Sequence, residues 1–434
     1  MTRSFPIPYH KTILSVEIPE TNLGYYIDLD TSASENENIE SLQKALDSNG
    51  PDFLENFVRN KHVGWIIEDA TRAVPIEDLL KVTGPYLKNA VNITLFLATG
   101  THDGENEENY KIIDLVKKYR EQFDFPLKKI IINNCHQDKF YLAGTTKTIK
   151  NKIYVNDQSR DVDVFLVFSD MKNHYFAGYS NPIKNFIPGI CSYETIERNH
   201  ALALKDVSTF GHHPLHPDPL RRDNPLAHDL WEAYQLICTG RPAFVLTTIT
   251  KQNKILWAGS GLLEDVTTKG ISKVDELMST TVTPVDRLIV SCGGYPNDES
   301  LYTAQRALEL SKNGISPGGE ILFIAACANG IGPDKSIDNF FNPLKESIPQ
   351  ILSKYENKYV MYSHKTYKFA RLIEKMNEIF VLSELAPELI ESIHLSPVTN
   401  IQNIVDKWIS QDPGTSIGIV TDGNKYAIHV KTNH

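Results

Sequence analysis

Residues 64–100 read GWIIEDATRAVPIEDLLKVTGPYLKNAVNITLFLATG. GWIIED (64–69) is a short apolar run of the kind that forms a strand buried on both faces, and ITLFLATG (93–100) is a second. Between them IEDLLKVTGPYL carries helical spacing. Strand, helix, strand in that order predicts a βαβ unit, hence a parallel sheet covered by helices. Working outward, ENEENYKIIDLVKKYREQF reads as a helix with acids in its first turn, DVDVFLVFSD (161–170) as a strand and LAHDLWEAYQLI as a helix. A second βαβ unit follows in DRLIVSCGG (286–294), DESLYTAQRALELSKNG and GEILFIAAC. GLLEDVTTKGISKVDELMSTTVTPV looks like a passage between domains. The expected fold class is therefore α/β, with two α/β domains and parallel-rich sheets: an N-terminal domain over 1–270 and a C-terminal domain over 271–434. At the tail, SIGIVTDG and YAIHVK read as two short strands, expected to pair as a hairpin through Asp422-Gly423.

The chain has 434 residues, enough for two ordinary domains, with 41% hydrophobic and 23% charged residues. A formal net charge of −10 argues against a nucleic-acid binder, which usually presents a basic face. It leaves room for a local basic pocket that takes a small anion. No stretch approaches the roughly 18 apolar residues of a membrane helix. The opening MTRSFPIPYH lacks the basic start and apolar run of a signal peptide. Cys135, Cys191, Cys238, Cys292 and Cys327 are scattered, odd in number and form no CxxC pair. This disfavours a disulfide framework or zinc ribbon, and a reduced, cytoplasmic protein is expected.

Ligands of open α/β sheets sit beyond the carboxyl ends of strands. Three conspicuous clusters stand there: Asp69-Ala70-Thr71-Arg72, Ala98-Thr99-Gly100-Thr101-His102 and Ser291-Cys292-Gly293-Gly294. Each has an ordinary reading as well: a helix cap with a salt bridge, a surface histidine, a tight turn whose N–H groups can hold an anion only weakly. The segment MKNHYFAGYSNPIKNFIPGICSYETIERNH (171–200) is richer. It gathers His174, Lys184 and His200 into an irregular stretch that also holds Tyr175, Phe176, Ile183, Phe186 and Ile187. A lysine among apolar neighbours has its ammonium form disfavoured and its amine available as a nucleophile. An imidazole nearby suits a borderline metal. Residue types alone equally allow a structural crossover with a snorkelling lysine.

Taken in order, seven pieces carry a resemblance. They are D-A-T-R-A-V-P (69–75), A-T-G-T-H (98–102), H-Y-F-A-G-Y-S-N-P-I-K-N-F-I-P-G-I (174–190), S-Y-E-T-I-E-R-N-H (192–200), N-P-L-A-H-D (224–229), G-G-Y-P-N-D (293–298) and C-A-N-G-I-G (327–332). The sequence resembles the nickel-dependent lactate racemase family, whose members carry nickel in a pyridinium-3,5-bisthiocarboxylic acid mononucleotide, the nickel-pincer nucleotide. The resemblance implies two α/β domains with the site in the cleft between them. It implies that Lys184 bonds covalently to a thiocarboxyl group of the cofactor and that His200 ligates nickel. It implies that His102 and His174 act as acid and base, and that Arg72 contacts the substrate carboxylate. Asp69, Thr71 and Gly100 are assigned to the surroundings of cofactor and substrate. Enzymes acting in trans would have to supply the cofactor, and neither nucleic acid nor membrane is an expected partner.

The implied chemistry is coherent. A C–H bond beside a carboxylate and a hydroxyl is a poor acid, so simple proton abstraction is difficult. A pyridinium ring can take that hydrogen as hydride, leaving a flat 2-keto acid, and return it to the opposite face. Loss of hydride requires the hydroxyl to lose its proton to a base. The two hands of substrate present their hydroxyls differently, so two bases are expected, and histidine titrates near working pH. Arg72 can grip a carboxylate with two parallel bonds. One departure bears on substrate. Where lactate racemases carry Gln and Lys, this chain has Thr303 and Arg306, which together favour a substrate larger than lactate, a sugar acid or a dicarboxylate. Two other readings compete: a zinc hydrolase built on His212, His213, His216 and Asp218, and a binding homologue without catalysis.

Overall fold

The computed structural model describes residues 1–28, 38–50, 52–72, 74–251, 254–356 and 358–430. They form two compact units, one of Asp30–Ala203 with Val207–Val274, the other of Met1–Leu29, Leu204–Asp206 and Asp275–His434.

The first unit is built on a six-stranded sheet ordered Lys254–Leu262, Ala243–Lys251, Val164–Asp170, His62–Glu68, Asn92–Ala98 and Leu127–Ile132. All pairs are parallel except the first, an antiparallel ladder at one edge. Trp65, Ile66, Ile67 and Phe165 through Phe168 are fully buried, which is why these strands read as continuous apolar runs and not as alternating ones. The expected helix IEDLLKVTGPYL spans Ile76–Leu87 and buries Ile76, Leu79, Leu80 and Leu87. It packs on helix Glu107–Phe123, which Asn106 caps by accepting from the Asn109 N–H.

The second unit is built on a six-stranded, wholly parallel sheet ordered Ser396–Val398, Glu378–Leu382, Ile315–Ile324, Val285–Ser291, Ile417–Val420 and Leu23–Ile27. The α/β class and the parallel-rich sheets are as expected. The grouping of residues differs from the expected 1–270 and 271–434. The strand Leu23–Ile27 pairs with Ile417–Val420, so the N-terminus belongs to the second unit. The antiparallel pair Thr2–Tyr9 and Thr12–Pro19 precedes it and supplies Phe5, Ile7, Val16 and Ile18 to a core shared with Ile289, Trp408, Ile417 and Ile419. The Tyr25 hydroxyl adds a bond to the Gly314 carbonyl at 2.7 Å.

The passage between domains falls where expected: the division between units lies within it, in the helix Leu263–Met278. One expectation is corrected: the tail hairpin does not form. Ile417–Val420 is an interior strand of the sheet, and Ala427–Val430 pairs in parallel with Ser279–Val282. Each tail strand finds a parallel partner far away in sequence, and the Asp422 carbonyl instead closes a turn by accepting from Lys425 and Tyr426. No helix of the described residues is long and apolar enough to cross a membrane. The five cysteines are free.

The dependence of the second unit on the N-terminus is testable. Phe5 is 1% exposed, so Phe5→Ala should cost about 3–5 kcal/mol in denaturant unfolding. Amide protection should fall in Val285–Ser291 and Ile417–Val420 and stay unchanged in His62–Glu68. Equal loss in both sheets would refute the assignment of the N-terminus to one unit.

Candidate active site

The strands His62–Glu68 and Asn92–Ala98 end side by side, which brings their two polar turns together. His102 donates from Nδ1 to the Asp69 Oδ2 at 2.6 Å, and the Thr71 hydroxyl donates to Asp69 Oδ1 at 2.5 Å. Asp69 is buried while His102 is exposed. Burial alone would raise the Asp69 pKa; the His102 ring, its hydrogen bond, Arg72 and Thr71 outweigh burial and hold it below the ordinary carboxylate value. The turn itself is held by Asn109, whose side chain accepts from the Ala70 N–H at 2.8 Å.

Beneath this dyad lies a buried row of charges. Burial lifts the Glu68 pKa to about 7, against the pull of the Arg72 guanidinium. Asp170 pairs with Lys172 at 2.9 Å. Glu68, Asp69 and Arg72 line a cavity of about 510 Å³ that also touches Lys111 and Thr250. Among the described residues the Arg72 guanidinium takes no hydrogen-bond or ion-pair partner within the protein, so its forked donors are available to an anion.

Segment 171–200 is more ordered than its punctuation suggests. Lys172–His174 and Gly178–Ser180 form a small antiparallel ladder, Pro182–Asn185 is a 3-10 turn, and Tyr193–His200 is a helix capped by Ser192. Phe176 is the common neighbour of three candidate residues. Its ring lies 4.4 Å from that of His174 and 5.5 Å from that of His200, and the Lys184 ammonium stands 5.8 Å from its centroid. His174 accepts at Nδ1 from the Ala177 N–H at 3.2 Å. His200 keeps partial exposure. The protein around it and the Lys184 charge nevertheless push its pKa down to about 3, with His102 acting the same way and a backbone bond at Ile196 opposing.

The matched motifs outside these residues are supports. Asn224 caps helix Pro225–Ile237 and donates to the Phe176 carbonyl at 2.9 Å. Asp229 accepts from Asn199 at 2.9 Å, one residue before His200, as well as from Thr146 and Asn151. Asn185 donates to the Phe168 carbonyl at 2.8 Å, pinning the lysine turn to a strand end. The N–H of Gly100 is committed to the Gly189 carbonyl at 3.1 Å and is not offered to a ligand.

Other expectations change. The Gly293-Gly294 turn holds the N-terminal hairpin instead of an anion: the Tyr295 N–H donates to the His10 carbonyl at 2.7 Å, and a Cβ on Gly294 would lie 2.7 Å from that same oxygen. In loop 211–218, His212 pairs with Asp223 at 2.6 Å, His213 accepts from Leu215, and His216 accepts from Asp218. These imidazoles serve the loop's own turns. Arg221 and Arg222 donate to the carbonyls of Gly211 and His216 and so order the same loop. Among the described residues no three His, Cys, Asp or Glu side chains stand together as a metal site. Thr303 and Arg306 lie on helix Leu301–Ser311 of the second unit. The Thr303 hydroxyl accepts from Ser300 at 3.2 Å. Phe176 reads in the sequence as part of the apolar setting of segment 171–200 but not as the ring shared by three candidates; Asn224 and Asp229 are marked only by lying in a matched run, and nothing in the sequence marks Asn109.

The lactate racemase N-terminal domain family matches residues 9–211, and the lactate racemase C-terminal domain family matches residues 280–426. The chain belongs to the lactate racemase family. Lactate racemase of Lactiplantibacillus plantarum is 24% identical over 428 residues, covering 96% of this chain and 97% of that protein. Lactate racemase of Thermoanaerobacterium thermosaccharolyticum is 25% identical over 449 residues, covering 98% and 99%. The structure of the latter's apoprotein has the same fold, with a TM-score of 0.83 at 21% identity over 98% of this chain and 100% of that one. A protein of Thermotoga maritima matches with a TM-score of 0.64 at 15% identity, covering 91% and 98%.

His213 is fully buried, and burial, then His228 and His216, push its pKa to about 3 from an ordinary 6.5. Between those values the unfolded chain binds the proton that the fold refuses, so stability falls as pH drops below about 6.5. Urea midpoints measured from about pH 6.5 to 4.5 should fall more steeply in wild type than in His213→Gln. Identical slopes would show that His213 protonates normally in the fold.

Proposed function

We propose that this chain is a 2-hydroxy-acid racemase or epimerase that inverts C2 with a nickel-pincer nucleotide held by Lys184 and His200. The observation that carries this reading is the grouping of His174, Lys184 and His200 around Phe176 in a member of the lactate racemase family. The donor set fits the cofactor. His200 is neutral at working pH and so has a lone pair for a metal. Among the described residues no three His, Cys, Asp or Glu side chains gather as a metal site, so the nucleotide itself would have to supply donors to the nickel. The Lys184 Nζ stands 5.8 Å from the Phe176 ring centroid, among apolar neighbours that favour its nucleophilic amine form. When bound, the nucleotide supplies a pyridinium ring able to accept and return hydride.

The chain's own residues handle the proton and the carboxylate. Asp69 fixes the His102 proton on Nδ1, which leaves Nε2 with its lone pair free to accept from a substrate hydroxyl. His174 accepts at Nδ1, so in its neutral form the proton sits on Nε2. The two imidazoles are therefore held in opposite neutral tautomers: His102 can accept a proton at Nε2, while His174 presents an Nε2–H that can hydrogen-bond to substrate and transfers a proton only from its imidazolium form. This suits a reaction whose two directions start from opposite hands. Arg72, with no partner of its own in the described protein, would grip the carboxylate. Cofactor-synthesis enzymes acting in trans complete the proposal.

On the second unit, Thr303 offers a hydroxyl and Arg306 a planar fork. Lys365 neighbours Arg306, but burial and Arg306 itself disfavour its ammonium, and it donates to the Tyr302 carbonyl at 2.6 Å. This supports hydroxyl recognition over a second carboxylate, hence a sugar acid slightly over a dicarboxylate such as malate.

With cofactor-loaded enzyme, loss of optical purity should be faster for aldonic acids than for malate and slowest for lactate. Lactate turning over fastest would overturn the reading of Thr303 and Arg306; malate ahead of every aldonic acid would overturn the sugar-acid preference alone. Separately, intact mass of loaded protein should show an adduct that is absent from Lys184→Ala. An adduct of equal mass in the variant would remove Lys184 as the anchor.

A further inference from the structure

Glu68 takes no part in the chemistry proposed above, yet it stands beside it. It ends strand His62–Glu68 and is 5% exposed. With Asp69 and Arg72 it lines the cavity of about 510 Å³ in the first unit. The paired strand Val164–Asp170 ends nearby and supplies Ser169 and Asp170.

The ordinary reading is a strand-end acceptor. Among the described residues Glu68 accepts from the Ser169 hydroxyl and from the Asp170 N–H, both at 3.3 Å. Both bonds are longer than usual for such donors. A buried carboxylate ordinarily needs short bonds or a cation in contact. Lys172 does not serve, since it pairs with Asp170 at 2.9 Å. Arg72 also acts on Glu68, but the two form no ion pair: they line one cavity without direct contact. A gap between opposite charges inside one cavity gives an incoming carboxylate access to the guanidinium.

We propose that Glu68 is the displaceable counter-ion of Arg72: its carboxylate balances the guanidinium while the site is empty, and it takes up a proton from solvent when a substrate carboxylate occupies Arg72. Glu68 is thus a positioning residue, acting on substrate through Arg72. This inference rests on the reading of Arg72 as the carboxylate grip. It goes beyond that reading by coupling substrate binding to pH.

The electrostatics agree in sign. Burial lifts the Glu68 pKa to about 7; Arg72 pulls it down, Asp170 raises it, Lys172 lowers it and Asp69 raises it. The other charges on the cavity wall are tied up locally, Glu77 and Asp78 near Lys81 and Glu108 with Lys111. An anion at Arg72 repels ionised Glu68 and offsets the guanidinium's pull, and both effects raise the Glu68 pKa further. Binding therefore takes up protons around and above pH 7, and affinity falls as pH rises through that range. Protonation spares the site a further negative charge beside Asp69.

The test is carboxyl NMR of the full chain carrying carbon-13 glutamate, with Glu68→Gln identifying the Glu68 signal. The probe is glycolate, the smallest 2-hydroxy acid, which has no second hand to interconvert. The Glu68 midpoint should lie near pH 7, rise in Arg72→Met, and rise by about one unit in wild type under saturating glycolate. By linkage, glycolate should bind wild type about tenfold more weakly at about pH 9 than at about pH 6, with a smaller change in Glu68→Gln. A carboxylate with a purely structural role would not answer to glycolate. The comparison of wild type with and without glycolate also needs no variant that could misfold. A midpoint indifferent to glycolate, or unmoved in Arg72→Met, would overturn the counter-ion role. An equal response to glycolate in Arg72→Met would overturn Arg72 as the link. If the midpoint answers to glycolate through Arg72 while loaded enzyme inverts no 2-hydroxy acid, the racemase reading falls and the counter-ion role stands.

Discussion

The candidate site depends on how closely two turns approach. The turn after strand Asn92–Ala98 and the turn that carries Lys184 touch backbone to backbone, through the bond from Gly100 to Gly189. A Cβ on Gly189 would lie 2.0 Å from the Asn185 carbonyl and 2.8 Å from the Ala98 side chain, so the two segments could not nest with any larger residue there. Gly100 in turn adopts a φ of 58°, where a glycine is the natural occupant. This contact fixes the lysine turn against the same sheet edge that presents Asp69 and His102. The polar supports, Asn185, Asn224 and Asp229, then hold Phe176 and the helix of His200 in place.

Electrostatics follow from that packing. In the first unit neighbouring groups hold the Asp69 pKa down, burial lifts that of Glu68 to about 7, and burial with the Lys184 charge lowers that of His200 to about 3. Each outcome is set by which effect wins at that position: neighbouring charges and hydrogen bonds at Asp69, desolvation at Glu68 and His200. The proposed roles of His200 as metal donor and His102 as base call for such opposed environments in one site.

Much of this was legible in the sequence because the signals were local. The apolar runs of His62–Glu68 and Asn92–Ala98 and the helix Ile76–Leu87 between them declared a parallel sheet, and the strand ends located the polar turns. What was not legible was pairing at long range. Nothing near Leu23–Ile27 announces its partner almost four hundred residues away, and nothing near Asp422 shows that both tail strands are already claimed. Loop 206–225 misled for a different reason. Histidines and arginines carry the same residue-type signal whether they face a ligand or, as here for His213, His216, Arg221 and Arg222, the loop's own backbone. The opposite tautomers proposed for His102 and His174 likewise depend on hydrogen bonds, to the Asp69 carboxylate and from the Ala177 N–H, that only the fold creates.

The third strand of the chain, Leu23–Ile27, closes the edge of the second unit's sheet, and this has a consequence for biogenesis. Synthesis runs from N- to C-terminus, so Leu23–Ile27 is made almost four hundred residues before the strand it pairs with, Ile417–Val420. The unit of Asp30–Ala203 and Val207–Val274 contains its whole sheet and can fold while translation continues. During that time Phe5, Ile7, Val16 and Ile18 have no core to enter. The hairpin Thr2–Tyr9 with Thr12–Pro19 can form locally, but it is too small to be stable alone. These apolar side chains thus wait for a core, and the second unit becomes complete only once Ile417–Val420 has been made.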